Sequence, residues 1–401
     1  MTTAVSSSNG LESEKPNPTN VGGQAVIEGV MMRAPGALSI VCRRRDGSLV
    51  LRERTVAGPP AGVFRLPFFR GMYTLFSSLK IGNQALRWSA EILEADLAKE
   101  EAEETKAAPK AKKVPPGATS IAALTVANFL TSEIEDIEDE KSKAAKALKE
   151  HPETAPEPAE KSTSGLAIAL PLLFAIFLFI ALPQLAAEGV NSWFKLGLDV
   201  RAPAMQAITG VAKLTIVIGY LSGLRLIPEV RRVFQYHGAE HKSISTYEAK
   251  KDLVVEEARP TSALHARCGT TFIIMVAFVS VVVFSAIGSF FPELPGGRFV
   301  NAVGFFLMKL PFFPVIAGIT FEIQRVFARY CTTGPLQVLL WPGFVVQKIT
   351  TAPPDDDQLE VALASLRSAL ANASVELPAA HPDRSFPTYE SLVDDPSYRL
   401  A

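Results

Sequence analysis

The sequence predicts a mainly α-helical, polytopic membrane protein with about four transmembrane helices and a small N-terminal β-hairpin appendage. Of its 401 residues, 48% are hydrophobic and the mean hydropathy is positive, and these apolar residues are concentrated in a few blocks. A helix needs about 20 apolar residues to cross a bilayer core of about 30 Å, which several blocks provide. The candidate spans are residues 166–182, 203–224, 270–291 and 300–321.

Composition excludes several other classes of protein. The 40 basic and 41 acidic residues nearly cancel, and no basic stripe with interleaved aromatic residues occurs, so no nucleic-acid partner is expected. Three scattered cysteines do not form a disulfide framework. Residues 1–20 are polar and lack an apolar core, which predicts a disordered tail rather than a signal peptide.

Residues 21–97 are predicted to form the β-hairpin and an amphipathic helix. Asp46-Gly47 is a strong two-residue turn signal between apolar strands at 38–45 and 48–56. The hairpin arginines form either a solvated face or a contact with anionic lipid head groups. Residues 64–97 have helical apolar spacing but contain cations, so this helix should lie at the interface or pack on the bundle.

The rest of the chain divides by composition into four parts. Residues 98–164 are rich in Lys, Glu, Ala and Pro and are predicted to be a largely disordered linker. Residues 165–350 form the membrane domain. Residues 351–372 form a C-terminal helix whose first turn carries three aspartates, and residues 373–401 form a disordered tail.

Lysine and arginine distribution predicts the orientation. The loop at residues 225–269 is rich in both, whereas the connections on the opposite side carry few. By the positive-inside rule this loop and both termini are cytoplasmic, which agrees with an even number of spans. The bilayer is the expected partner, and the basic loop is a candidate contact for anionic lipid.

Two predicted spans each contain one lysine, Lys213 and Lys309. A cation at the centre of a span costs roughly 2.5–3.5 kcal/mol on insertion scales, so each should face the bundle or a wet cavity. Two interpretations stay open: snorkelling or carbonyl contacts, and an anion-attracting cavity. Pro311 and Pro314 predict a break in the fourth span.

The segment with most chemical content lies between the second and third spans. His237, Glu240 and His241 form a His-x-x-Glu-His pattern, in which two imidazoles on one helix face bind zinc and the carboxylate acts as a base. His265 and Cys268 follow at a spacing that can chelate one ion.

The number of ligands decides what such a site does. If His237, His241, His265 and Cys268 all bind, the site is closed and structural. If only three bind, or if Glu322 replaces the later pair, a position for water remains and Glu240 can accept its proton. The alternative is that these residues only bond to arginines, carboxylates and lipid phosphates at the interface.

Several long motifs resemble the YqhQ-like family of bacterial membrane proteins, DUF1385, a domain of unknown function. They are the run at residues 22–33, the run at 236–242, Arg267-Cys268-Gly269-Thr270 and the segment from Pro342-Gly343 to Pro354-Asp355-Asp356. Ala266 departs from the proline expected there. The resemblance implies a bacterial inner-membrane location and a predicted metal-dependent enzyme. It carries over His237, Glu240, His241, His265 and Cys268, with Glu28 and Arg33 as additional residues of unknown role.

Two hypotheses of function follow. The first is a zinc-dependent hydrolase at the cytoplasmic membrane face, acting on a lipid or a peptide, with Glu240 as the base. The second is a non-catalytic membrane scaffold or small transporter, in which the His/Cys cluster is structural and the two lysines line a cavity. The sequence names no substrate for either.

Overall fold

A computed structural model describes residues 21–56, 62, 66, 68–107, 174, 177–292, 294–295, 297–332, 334–373, 381–396 and 398. The strands are β1 (Gly22–Val26), β2 (Gly29–Ala34), β3 (Ala37–Arg43), β4 (Leu49–Thr55) and β5 (Arg384–Phe386). The helices are α1 (Phe69–Ala107), α2 (Leu182–Trp193), α3 (Pro203–Leu224), α4 (Pro228–Glu248), α5 (Val255–Ala258), α6 (Gly269–Ile287), α7 (Gly297–Lys309), α8 (Phe313–Tyr330), α9 (Trp341–Thr350), α10 (Asp356–Ala371) and α11 (Tyr389–Val393).

The five strands form one antiparallel sheet in chain order, which is larger than the predicted hairpin appendage. β3 and β4 pair around the Asp46-Gly47 turn, so the hairpin itself is confirmed. β1 and β2 add a second hairpin, whose tight turn places Glu28 in the left-handed region at φ 52°. The sequence does not predict this pair of strands, because paired glycines and a charge interrupt its apolar pattern.

The sheet is buried on both faces. One face packs against Ala85, Leu86 and Trp88 of α1. The opposite face packs against α4 and α10 in the largest apolar cluster of the described residues. A sheet covered on both sides is a core rather than an appendage, and it fixes the position of α4.

The hairpin arginines are paired with carboxylates rather than forming a free solvated face. Arg43 bonds Glu360 of α10, Arg44 bonds Asp96 of α1, and Arg52 bonds Asp383 beside β5. These pairs join the sheet to both covering helices and to the C-terminal segment.

The C-terminal helix predicted within residues 351–372 is present as α10, whereas part of the predicted tail packs on the fold. α10 begins with a capping box between Asp355 and Gln358, and its side chains are buried nearly all round. Within residues 373–401, β5 pairs with β4 and the Tyr398 hydroxyl donates to Ala364 O. Small residues on every side of α10 allow this burial. Because apolar and small residues surround the helix, its sequence has no separate polar face.

In the described part of the chain, three helical segments are long and apolar enough to cross a membrane: Pro203–Leu224, Gly269–Ile287 and Val303–Tyr330. The third contains the predicted break, because α7 ends at Lys309 and a 3-10 turn at Leu310–Phe312 precedes α8. The first predicted span, residues 166–182, lies largely outside the described residues, as do residues 1–20 and most of the predicted linker.

α1 connects the apolar helices to the sheet, which fits the prediction that it packs on the bundle. Near its start, Arg70 pairs with Glu322 of α8, and Gly71 lies against Phe321. Further along, α1 covers the sheet through Leu86 and Trp88. It extends to Ala107, beyond the predicted end at residue 97.

Candidate metal centre

α4 supplies three side chains to one buried point. His237, Glu240 and His241 lie at positions i, i+3 and i+4, which share a helix face. Glu240 and His241 are buried, and His237 is nearly so. The His237 and His241 ring centroids are 4.4 Å apart, so the two rings converge rather than diverge.

Gly238, which weakens helix propensity within this motif, is required by packing. A Cβ atom at this position would lie 2.3 Å from Ala352 O. The segment after α9 therefore passes directly over α4, and Ala352 N–H donates to Phe234 O at 2.9 Å. This close passage brings Thr350 O to His237 Nδ1.

Cys268 reaches the same point from the N-terminal end of α6. Its loop is held by two buried glutamines. Gln324 of α8 donates to Cys268 O at 3.1 Å, and Gln347 of α9 donates to His265 O at 2.7 Å and accepts from His265 N–H at 2.9 Å. The thiol is thus positioned by backbone contacts on both sides.

His237, His241 and Cys268 form a group whose candidate ligand atoms all lie within 4.8 Å of one another. Cys268 Sγ is 3.3 Å from His237 Nε2. Tetrahedral zinc with bonds of about 2.0–2.3 Å requires ligand–ligand distances of roughly 3.3–3.6 Å. The separation of these two atoms therefore fits a shared ion.

Both imidazoles are oriented for this role by their second nitrogen. His237 Nδ1 lies 2.9 Å from Thr350 O, and His241 Nδ1 lies 2.5 Å from Ala263 O. A carbonyl only accepts, so each Nδ1 carries a proton and each ring turns its Nε2 towards the cluster. Histidine ligands in proteins are held in this way.

The charges within the group are strongly coupled. Burial disfavours a charged imidazole, but the Cys268 thiolate and the Glu240 carboxylate outweigh it and raise the pKa of His241 to about 9. The pKa of His237 is raised for the same reasons. Burial would raise the pKa of Cys268, but the two imidazolium charges lower it well below its usual value. The sulfur is therefore a thiolate, the form that binds metals.

Glu240 lies at the edge of the group. Its Oε2 is 3.9 Å from His237 Nε2, and its side chain packs against Gly23 of β1, where any Cβ would collide with it. Burial raises the pKa of Glu240, although the nearby histidines act in the opposite direction. A raised carboxyl pKa suits proton transfer near neutral pH.

His265 is not brought into this three-residue group. Its Nε2 lies 3.3 Å from Glu248, which also pairs with Arg267. Its ring is nevertheless close, with a centroid 5.8 Å from that of His241. The arrangement therefore favours three protein ligands over the closed set of four.

The other sequence candidates lie in structural contacts. Glu322 pairs with Arg70, with 2.9 Å between Arg70 Nη2 and Glu322 Oε2. Glu28 accepts from Arg232 Nε at 2.5 Å and from Tyr236 Oη at 3.3 Å, which ties the β1–β2 turn to α4. Arg33 lies on β2 opposite Gly22.

Sequence reasoning missed the supporting residues of the site. Gln324 and Gln347 carry no signal in the sequence, because each lies beside a charged residue at the end of an apolar run. Thr270 was quoted only as part of a motif, yet its Oγ1 lies 3.1 Å from Cys268 Sγ.

Fold and site together define a helical protein with apolar helices of membrane-spanning length and a buried His/Cys cluster beside their ends. The model of the family "Protein of unknown function (DUF1385)" matches residues 66–372, so the chain belongs to that family. It is 29% identical over 363 residues to "Uncharacterized protein YqhQ" of Bacillus subtilis (strain 168), covering 88% of this chain and 93% of that protein. No solved structure matches the chain.

Proposed function

We propose that this protein is a zinc-dependent hydrolase of the membrane surface, with His237, His241 and Cys268 as ligands and Glu240 as the base. The observation that carries the proposal is the orientation of both imidazoles: each Nδ1 faces a backbone carbonyl, and the Nε2 atoms face one thiolate. Histidines that bind metals are held by the same kind of hydrogen bond from their second ring nitrogen.

Three protein ligands leave a fourth position, as in catalytic zinc sites. Bound zinc would act as a Lewis acid and lower the pKa of a coordinated water to about 7. Glu240 is near enough to His237 to accept a proton at that position, and its raised pKa lets it return the proton to a leaving group. His265 and Arg267 hold Glu248, which helps to shape the loop.

A location at a membrane surface is supported by where the site falls along the chain. Cys268 directly precedes α6, and α4 follows α3 after a short connection. Large apolar side chains on these helices are exposed, including Val211 at 65% and Phe278 at 67%. Exposed apolar surface of this kind fits lipid contact. We infer a multi-pass inner-membrane protein whose termini and site face the cytoplasm.

The orientation is tested by labelling cysteines introduced on opposite sides. A membrane-impermeant maleimide added to intact cells should label Lys195→Cys, between α2 and α3, and should spare Asp252→Cys, between α4 and α5. Both positions are exposed. The reverse pattern would place the site outside, and equal labelling of both in intact cells would contradict a multi-pass arrangement.

Metal content tests the centre itself. Full-length protein in lipid nanodiscs, loaded with zinc and dialysed, should hold about one zinc per chain, and His241→Ala should hold almost none. His265→Ala is the matched control and should keep its zinc, because its Nε2 faces Glu248. Equal, sub-stoichiometric zinc in the wild type and His241→Ala would refute a metal centre.

Cobalt substitution separates a catalytic from a structural metal. The wild-type spectrum should show thiolate-to-cobalt charge transfer and should change when acetohydroxamate is added, because the fourth position is open. Glu240→Gln should keep the metal and this response. A spectrum unaffected by acetohydroxamate would indicate a closed, structural centre, as in the scaffold hypothesis. Loss of metal in Glu240→Gln would make Glu240 a ligand instead of a base.

A further inference from the structure

A second buried site lies among the apolar helices, away from the metal centre. A cavity of about 280 Å³ is lined by residues of α2, α3, α6, α7 and α8 and by Ala181 just before α2. This is close to the lower end of the roughly 300–1,000 Å³ typical of small-molecule pockets. Its walls are predominantly apolar, but Lys213 and Lys309 both line it.

Lys309 is buried and has few partners for its three donors. Its Nζ donates to Gln206 Oε1 at 2.8 Å and lies 4.2 Å from the Phe305 ring centroid and 4.9 Å from that of Phe284. Gln206 is itself fixed, because its Nε2 donates to Val200 O. Within the described residues no carboxylate lies within ion-pair distance of this ammonium.

Two further donors line the same space. Lys213 Nζ lies 5.8 Å from the Phe313 ring centroid, and within the described residues it too has no acidic partner in ion-pair range. Gln184 Nε2 is buried and has no hydrogen-bond partner among the described residues. Two cations and one unsatisfied amide donor therefore line a cavity that has no Asp or Glu among its described lining residues.

We propose that this cavity binds an anionic amphiphile, with its carboxylate or phosphate head group between Lys213 and Lys309 and its alkyl chain along the apolar wall. Two like charges beside mainly apolar walls are each costly and repel one another. One anion removes both costs and supplies the acceptors that the lysines and Gln184 lack. A neutral apolar ligand would leave those donors unsatisfied. This site does not depend on the metal centre.

Binding of short-chain probes tests the proposal. Full-length protein in phosphatidylcholine nanodiscs is titrated with decanoate, decyl phosphate, decanol and decyltrimethylammonium, and empty nanodiscs provide the partition background. Saturable binding near one per chain is expected for one or both anions only. A preference for decanoate would assign a carboxylate head group, and a preference for decyl phosphate would assign a phosphate.

Variants at Lys309 separate charge from shape. Lys309→Met should weaken binding of the preferred anion by about tenfold to a hundredfold, since hydrogen bonds to charged groups contribute about 1.5–3 kcal/mol. Lys309→Arg should bind within a few-fold of the wild type. Lys348→Met, an exposed lysine on α9, is the control and should be unchanged.

Two results would overturn the proposal: saturable binding of decanol as tight as that of the anions, or equal anion affinity in the wild type and Lys309→Met. Should Lys309→Met not fold, Lys213→Met replaces it with the same expected loss and the same criterion. Zinc content is measured in each variant and should stay at the wild-type value, because these lysines do not touch the metal centre.

Discussion

The candidate metal centre and the cavity lined by Lys213 and Lys309 are both groups of largely buried titratable side chains, yet they are built in opposite ways. In the metal centre, Thr350 O and Ala263 O hold the two histidines, and Gln324 and Gln347 hold the cysteine loop. In the cavity, Lys309 has one amide acceptor, and the other lining side chains near it are mostly apolar.

The two sites differ in how much of the ligand-bound geometry the protein holds in place before the ligand binds. A divalent ion has strict distance and angle requirements, so its ligands must be held before it arrives. An anionic amphiphile brings its own acceptors and its own apolar chain, so the protein needs only donors and space. Changes in the metal centre should therefore act through geometry, and changes in the cavity through charge.

The largest expected effect follows removal of the thiolate. Cys268→Ala should lower zinc from about one to below about 0.1 per chain, because two imidazoles alone bind zinc far less tightly than three ligands. Elemental analysis of dialysed protein measures it. Cys331→Ala is the control, since Cys331 is also buried but packs in an apolar cluster with Ala266 and Leu340. Zinc retained in Cys268→Ala would remove the sulfur from the centre.

A supporting residue should have the next largest effect. Gln347→Leu removes hydrogen bonds to the His265 backbone and to Thr271 Oγ1, and should weaken zinc binding by about 10–100-fold. Competition with a fluorescent chelator measures the affinity. Gln337→Leu, at an exposed position, should leave it unchanged. An unaltered affinity in Gln347→Leu would show that the loop keeps its geometry without the glutamine.

A substitution at Gly238 tests the geometry of the candidate metal centre without changing any of its ligand residues. Gly238→Ala places a methyl group against Ala352 O and should destabilise the fold by about 1–3 kcal/mol, with weaker zinc binding as Thr350 shifts. Thermal unfolding followed by circular dichroism measures it. Gly219→Ala in α3 has open space around it and should be neutral or slightly stabilising. Wild-type stability in Gly238→Ala would contradict this close contact.

Only some of the features probed by these experiments could be predicted from the sequence. Periodicity and charge predicted the apolar helices, the Asp46-Gly47 hairpin and the convergence of His237 and His241, because each is a local pattern. The partners of Gln324 and Gln347 lie far away in the chain, and spacing cannot reveal them. The fifth strand was missed for the same reason: Arg384–Phe386 is too short to show alternation and forms only by pairing with β4.

The smallest expected effect has the opposite sign and concerns the cavity. Lys309→Met, without added amphiphile, should raise the stability of the fold by about 1 kcal/mol, or roughly 2 °C in the unfolding midpoint. Burying a cation that has one amide acceptor costs more free energy than burying a methionine of similar length. In the candidate metal centre, by contrast, each ligand side chain has hydrogen-bond partners. Thermal unfolding in phosphatidylcholine nanodiscs measures the shift, and adding the preferred anion should stabilise the wild type more than Lys309→Met. A destabilised Lys309→Met would mean that the contacts with Gln206, Phe284 and Phe305 already satisfy this lysine, and the two sites would then be built alike.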